Sequence, residues 1–215
     1  MRRLFFICSL LLTWSAGFGQ DSLADRSVKP PALFLAIDYG KLATLPTNFE
    51  TKWEGGLGFR IGKHLMPVFF GGFATLEPEN AISNGTYESK GWYFRTGLEY
   101  VLYLDLRNSL ILGARYGQSN FSEDASYIVS SDLFEEITGE VSRTDLSARW
   151  AEIVLGSEMQ LGESPFYIGG YFTLRIMIDR DEYLPVDTYA IPGYGRTIDK
   201  TIPALQLHLK AALFR

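Results

Sequence analysis

The sequence predicts an all-β protein, and more specifically an eight-stranded antiparallel up-and-down β-barrel of the transmembrane type. Three observations lead to this prediction. Apolar and polar residues alternate with a period of two in several segments, tight and long connections alternate between these segments, and a secretory signal precedes them. A period of two is the spacing at which successive side chains of a strand point to opposite faces. The segments are therefore predicted to be strands with one oily face and one polar face.

The first 20 residues have the three parts of a secretory signal. A basic start at Arg2 and Arg3 precedes the apolar run from Leu4 to Trp14, and small residues follow that run. The run is shorter than the roughly 18 apolar residues that a membrane-spanning helix needs, and no later stretch approaches that length. We expect three regions: a signal peptide at 1–20, a periplasmic tether at 21–31 and the β-barrel at 32–215.

Eight segments have the pattern or the length of strands. In the last segment every odd position from Leu205 to Leu213 is apolar, whereas Gln206, His208 and Lys210 lie between them. The third segment is apolar on both faces, so its register stays open. The predicted strands are 33–40, 49–61, 66–76, 92–104, 110–116, 149–158, 166–178 and 205–214.

The connections between these strands alternate in length. Three are tight turns, at 62–64, 105–108 and 161–164, and four are longer, at 41–48, 77–89, 117–147 and 179–201. Short turns at one rim and long loops at the other are typical of outer-membrane barrels, in which the long loops face outward. Trp92 and Tyr100, on the apolar face of one strand, are separated by about 20 Å of barrel height and are expected in the aromatic girdles.

With these features the chain resembles the small outer-membrane barrels of the OmpA and OmpX type over nearly the whole mature length. It also resembles a family of exported bacterial outer-membrane β-barrel proteins that carries no known activity. The second resemblance comes from the segments 36–41, 76–81, 113–117 and 191–197. It implies no catalytic residue and no cofactor. We expect the chain in the bacterial outer membrane, with outer-membrane lipid and the barrel-assembly machinery as partners.

If the apolar face meets lipid, the polar face of each strand points into the barrel. The predicted inward polar cluster is Asp38, Glu50, Lys52, Glu54, Arg60, Arg95, Glu99, Arg115, Glu152, Arg175, His208 and Lys210, together with Glu158 and Asp179. An eight-stranded barrel is just wide enough for side chains to fill it, and unpaired charges there would be costly. We therefore expect a salt-bridged structural plug. A proton path or a small cavity is the alternative, because inward glycines such as Gly56 and Gly156 leave room for large neighbours or for a void.

The residue types needed for catalysis or metal binding are scarce. The only histidines are His64 and His208, and the single cysteine, Cys8, lies in the predicted signal. Thiolate metal sites are therefore excluded, and neither histidine has a nucleophile partner by spacing. The acidic stretch within 117–147 lacks the spacing of a calcium loop. The net charge of −5 argues against nucleic acid as a partner. We predict no enzyme, no cofactor and no metal.

Three functions remain open. The leading hypothesis is a non-enzymatic outer-membrane barrel that acts in envelope integrity or in surface interaction with an extracellular ligand or protein through its long loops. The second is a barrel that binds or transports a small apolar molecule, either in the membrane or as a soluble lipocalin-like barrel. The third is a lipid-modifying membrane enzyme. The last long loop mixes aromatic residues such as Tyr189 and Tyr194 with turn formers, and we expect it to fold over the barrel mouth or to contact a partner.

Overall fold

The computed structural model describes residues 32–40, 50–78, 81–131, 134–183 and 187–213. Within these ranges the protein is all-β, and none of them contains a helix with the length and hydrophobicity of a membrane span. The predicted signal and tether at 1–31, the loop at 41–48 and the C-terminal pair Phe214 and Arg215 lie outside the described residues.

Eight of the ten strands in the described ranges form one closed antiparallel sheet. The strands are β1 (Ala32–Asp38), β2 (Glu50–Arg60), β3 (Leu65–Leu76), β4 (Gly85–Tyr103), β5 (Asn108–Ser131), β6 (Phe134–Gln160), β7 (Phe166–Arg180), β8 (Ala190–Ile191), β9 (Gly195–Arg196) and β10 (Thr201–Ala212). β8 and β9 pair only with each other, and β10 closes the ring on β1, where Phe34 is opposite Ala212. The predicted all-β class and the eight-stranded antiparallel ring are confirmed.

The three predicted tight turns are present, and they lie at one rim. Gly62 and Gly162 have φ values of 65° and 62°, which an L residue rarely adopts, so glycine suits these turns. In the turn between β4 and β5, the Asp105 carboxylate accepts hydrogen bonds from the backbone N–H groups of Arg107 at 2.7 Å and Asn108 at 2.8 Å. This is the Asx geometry that closes a short connection.

The predicted loop at 117–147 is wrong. β5 and β6 continue through it as a paired ladder as far as Ser131 and Phe134, and β4 likewise begins at Gly85 instead of residue 92. The three strands project beyond the rest of the barrel as a sheet. The extension was missed because its outward residues, such as Gln118 and Asp124, are polar, so the apolar half of the period-two pattern disappears there. A bulge at the base of the extension carries Asp145 at φ 61°.

Large apolar side chains cover the outside of the barrel. One row crosses the sheet through directly paired positions and contains Ile61, Leu65, Tyr100, Leu112, Leu155, Phe172 and Leu205. These side chains are between 42 % and 76 % exposed. Trp53 and Leu207 also point outward, whereas Lys52 and His208 point inward. The open register of β3 is assigned as well: Met66, Val68 and Phe70 face the interior.

Glycines opposite aromatic rings make room inside the barrel. In the described strands, several inward glycines are directly paired with an aromatic residue, among them Gly56 with Phe70, Gly72 with Tyr93, Gly117 with Trp150, Gly139 with Tyr127 and Gly156 with Tyr171. A Cβ atom at Gly56 would lie 2.3 Å from Phe70 Cδ1, and one at Gly117 would lie 2.2 Å from Trp150 Cε2. The space at these glycines is therefore occupied by large neighbours, and is not a void.

Replacing Gly56 with Ala should lower the free energy of unfolding by about 1–3 kcal/mol, because the added methyl group overpacks the Phe70 ring in a closed interior. Gly55→Ala is the matched control, since its Cβ points outward and would meet only Ala36 O at 3.8 Å. Its effect should stay within about 0.5 kcal/mol. Urea unfolding followed by tryptophan fluorescence measures both variants. Equal losses at the two positions would contradict the close packing of Phe70 on Gly56.

Candidate functional site in the barrel interior

The structure brings the predicted polar cluster together inside the barrel. Of the twelve residues from Asp38 to Lys210 that were named first in that cluster, Glu50 is half-buried at the mouth, and the other eleven side chains are buried. Asp179, which the alternation placed inside, is exposed, so that prediction is wrong. A bulge adds one residue to β7 there, so that Trp150 is opposite Met177 but Arg149 is opposite Asp179. Paired residues share a face, and Asp179 therefore joins the exposed Arg149 on the outer surface.

The upper part of the interior is centred on Arg95. Its guanidinium pairs with the carboxylate of Glu54, donates to Gln206 Oε1 at 2.9 Å and lies 3.5 Å from Glu152 Oε1. Glu54 also accepts from the Tyr93 hydroxyl and lies 3.1 Å from Lys52 Nζ. The predicted cluster does not include Gln206, whose side chain is uncharged, although its place between Leu205 and Leu207 puts it on the polar face.

Two further carboxylates continue the network toward the tight-turn rim. Glu152 Oε1 lies 3.2 Å from Arg175 Nε and accepts from Trp150 Nε1 at 2.9 Å. Glu99 pairs with Arg115, whose guanidinium lies between two rings, 4.5 Å from the centroid of Phe70 and 4.6 Å from that of Tyr171. Aromatic faces attract cations, so the rings stabilise the charge in addition to filling space.

The lower part of the interior holds Glu158, Lys210, His208 and Ser109. Lys210 Nζ lies 2.7 Å from Glu158 Oε2, and the Ser109 hydroxyl donates to Glu158 Oε1 at 3.4 Å. His208 stacks on Tyr171 with a centroid separation of 4.2 Å, and its Nε2 lies 3.7 Å from Glu158. A nucleophilic triad requires a hydrogen bond from serine to histidine. Here the Ser109 hydroxyl donates to the Glu158 carboxylate instead of to His208.

Metal binding has no obvious place in the described part of the chain. Its His, Cys, Asp and Glu residues form no group of three that could hold an ion. His64 donates from Nδ1 to the backbone carbonyl of Val101 at 2.8 Å, and its ring stacks on Tyr100. It is thus engaged in packing at the turn between β2 and β3.

A hairpin closes the barrel mouth opposite the tight-turn rim. It consists of β8, β9 and the turn between them, and it inserts Ile191 and Tyr194, which are both 0 % exposed. Tyr194 meets the Trp150 ring edge-on at 5.8 Å, and its backbone carbonyl accepts from Arg175 Nη1 at 2.6 Å. Burial raises the pKa of Tyr194. The phenol therefore stays protonated and donates to the Lys200 carbonyl at 3.1 Å. The expected fold of this loop over the mouth agrees with this arrangement.

The projecting sheet holds the same hairpin from above. The Tyr87 hydroxyl donates to Glu123 Oε2 at 2.8 Å and accepts from the backbone N–H groups of Tyr189 at 3.2 Å and Ala190 at 3.3 Å. Glu123 in turn lies 2.6 Å from Arg143 Nη1. Burial and the Glu123 carboxylate raise the pKa of Tyr87, so the phenol remains a donor. These residues lie in segments that the sequence predicted as loops. The signal that could have found them is the alternation itself, because Ser119, Phe121 and Glu123 continue the inward positions of β5.

The fold and this site define an eight-stranded antiparallel β-barrel whose interior is filled by ion pairs and whose mouth is closed by a hairpin. The chain belongs to the family described as Domain of unknown function (DUF6048), whose model matches residues 20–205. The match covers β1 to β9 and the first part of β10, and His208 and Lys210 follow it. None of the curated proteins compared with the chain is a significant match.

Removing one partner of the Lys210–Glu158 pair should be costly. Lys210→Met leaves a buried carboxylate without its closest cation, and we expect a loss of about 3–5 kcal/mol in the free energy of unfolding. The double variant Lys210→Met with Glu158→Leu should recover most of that loss, because no buried charge is stranded. The control is Lys90→Met, whose pair with Glu88 is exposed and contributes at most about 1 kcal/mol. Additive losses in the double variant, measured by urea unfolding, would refute the coupling.

The seating of the hairpin depends on Gly193. Gly193 has φ 82°, and a Cβ there would lie 2.4 Å from Tyr93 Cγ, whereas Gly162 has φ 62° with nothing within 4 Å. Gly193→Ala and Gly162→Ala therefore share the backbone strain but only the first adds a clash. We expect Gly193→Ala to speed hydrogen exchange of the hairpin amides by about tenfold or more, and Gly162→Ala to leave it unchanged. Unaltered hydrogen exchange in Gly193→Ala would contradict the close packing of the hairpin in the barrel mouth.

Proposed function

We propose that this protein is a non-enzymatic outer-membrane β-barrel that acts at the cell surface through its projecting sheet. The observation that carries the proposal is the row of exposed apolar residues across the outside of the barrel, set against a charged interior. Soluble monomers rarely expose apolar patches larger than a few hundred Å². A closed barrel in lipid satisfies all its backbone hydrogen bonds between strands and keeps its polar side chains inside.

Aromatic residues on the outer face also support lipid as the surroundings of the barrel. Trp53, Phe73 and Trp92 are directly paired neighbours on β2, β3 and β4, and they are 58 %, 49 % and 50 % exposed. Such a row fits the aromatic girdle at a membrane interface. Beyond it on β4 the outward residues become polar, beginning with Lys90. A soluble lipocalin-like barrel would have the opposite arrangement, with apolar residues inside and charges outside.

The filled interior argues against transport and catalysis as the main role. Arg95, Glu54, Glu152, Arg115 and Glu99 form one connected set of ion pairs across the barrel. The hairpin covers the mouth above them. Because paired charges occupy the middle of the barrel, we expect the working surface to lie outside the membrane.

The projecting sheet provides that surface. In the described strands, residues 134–146 of β6 pair with β5 on one side only, so the other edge has backbone groups available to a partner strand. Near the tip, Val129 and Ile137 are directly opposite each other and are 53 % and 60 % exposed. An edge with apolar side chains at this height supports contact with an extracellular protein by strand addition.

Single thiols test the location and the orientation together. The only cysteine of the chain lies in the predicted signal, so Ile137→Cys would carry one thiol on the projecting sheet, and Leu106→Cys would carry one in a tight turn, where Leu106 is 78 % exposed. In whole Gram-negative cells that export the chain, we expect a membrane-impermeant maleimide to label Ile137→Cys. Leu106→Cys should react only after the outer membrane is permeabilised.

Two results would overturn the proposal. Recovery of the native chain in the soluble fraction without detergent would exclude the membrane location. Equal labelling of the two thiols in intact cells would exclude the orientation. Folded outer-membrane barrels migrate differently on gels before and after boiling, and this shift serves as the control that each variant is folded.

A further inference from the structure

A small cavity lies at the mouth of the barrel, between the hairpin and the inner wall. Its volume is about 120 Å³, and its lining includes Lys52 from β2, Arg175 from β7 and Arg196 from β9. Small-molecule sites usually measure about 300–1,000 Å³. This cavity therefore suits a small ion or one functional group of a larger molecule, but not a whole drug-sized ligand.

Cations dominate the charged part of this lining. Three of its four charged residues are basic, and Glu50 is the single acid. Two of the cations are paired with carboxylates that are not part of the lining: Glu54 lies 3.1 Å from Lys52, and Glu152 lies 3.2 Å from Arg175. Lys52, Arg175 and Arg196 thus line the cavity, whereas two of the carboxylates paired with them lie outside its lining.

Two of the three cationic groups are held in place by the surrounding protein. Lys52 is 3 % exposed, and Arg175 is held by Glu152 on one side and by the Tyr194 carbonyl on the other. Leu76 and Ile191 add apolar wall, which strengthens electrostatic attraction by lowering the local dielectric constant. Arg196 is exposed at the rim and is the most accessible of the three.

We propose that this cavity binds a phosphate group. Three cations from three different elements surround the cavity, and a tetrahedral oxyanion offers oxygens in more directions than a carboxylate does. Arginine suits such oxyanions because its planar fork donates two parallel hydrogen bonds. The ligand is either free inorganic phosphate or the phosphate of a larger headgroup that reaches the mouth from the outside. The site does not depend on whether the projecting sheet binds a protein.

Calorimetric titration tests the site with the mature chain folded in a phosphate-free, uncharged detergent. Inorganic phosphate should bind with saturation, while sodium acetate and sodium chloride at the same ionic strength should bind at least tenfold more weakly. Arg196→Gln should weaken phosphate binding by about tenfold or more, because it removes a charged hydrogen-bond donor. Lys90→Gln removes an exposed cation elsewhere on β4 and should leave binding unchanged.

Further arms separate the source of the phosphate from the existence of the site. If glucose 1-phosphate displaces inorganic phosphate, the site accepts a phosphomonoester. If inorganic phosphate binds tightly and glucose 1-phosphate does not displace it, the ligand is the free ion. Lys52→Gln, checked for folding by its gel shift, should also weaken binding. The proposal is overturned if inorganic phosphate does not bind, if chloride reproduces its heat, or if Arg196→Gln and folded Lys52→Gln both bind as the parent does.

Discussion

The narrow interior of the barrel is the constraint on which the other features of this structure depend. Eight strands enclose a space that side chains alone can fill. Each inward position therefore has to match its neighbours in volume and in charge. Volume is matched by pairing glycine with an aromatic ring across neighbouring strands, as in Gly56 with Phe70 and Gly156 with Tyr171. Charge is matched by sharing each buried carboxylate among several donors.

That sharing explains why so many charges coexist in the barrel. Glu152 contacts Arg95, Arg115 and Arg175, so no one of these pairs has to offset the whole desolvation cost of the carboxylate. Removing one member of such a network leaves a buried charge without a partner. Replacing a whole pair removes the desolvation cost of both charges along with their attraction. The interior is thus best understood as one cooperative unit. The hairpin extends that unit to the mouth, because the Tyr194 carbonyl accepts from Arg175.

Much of this arrangement follows from the alternation of residues along the chain. Parity alone gives the inward direction of Lys52, Arg95 and His208 and the outward direction of Trp53 and Leu207, because a strand has only two faces. Parity fails where a bulge inserts a residue, as at Asp179, and bulges leave no reliable mark in a single sequence. It also fails where the outward face of a strand is polar, as in the upper halves of β5 and β6, because the apolar half of the alternation is then missing from that face.

Contacts between distant segments could not be predicted in this way. The pairing of Arg95 with Glu54 and the burial of Tyr194 against Trp150 depend on the register and the closure of the ring, which bring together residues from β2, β4, β6 and the hairpin. The cavity beside Arg196 has the same origin. Residue types alone indicated an interior that holds both acids and bases, but which acid meets which base depends on the three-dimensional ladder.

The buried position of the hairpin has a consequence for the order of assembly. Ile191 and Tyr194 belong to one buried apolar cluster with Tyr93, Phe121 and Trp150, which come from β4, β5 and β6. The hairpin itself lies between β7 and β10, the strand that closes the ring. Its binding pocket exists only once those strands stand side by side. We therefore expect the hairpin to take its buried position only after β4, β5 and β6 have paired, because these contacts join segments that are far apart in the chain.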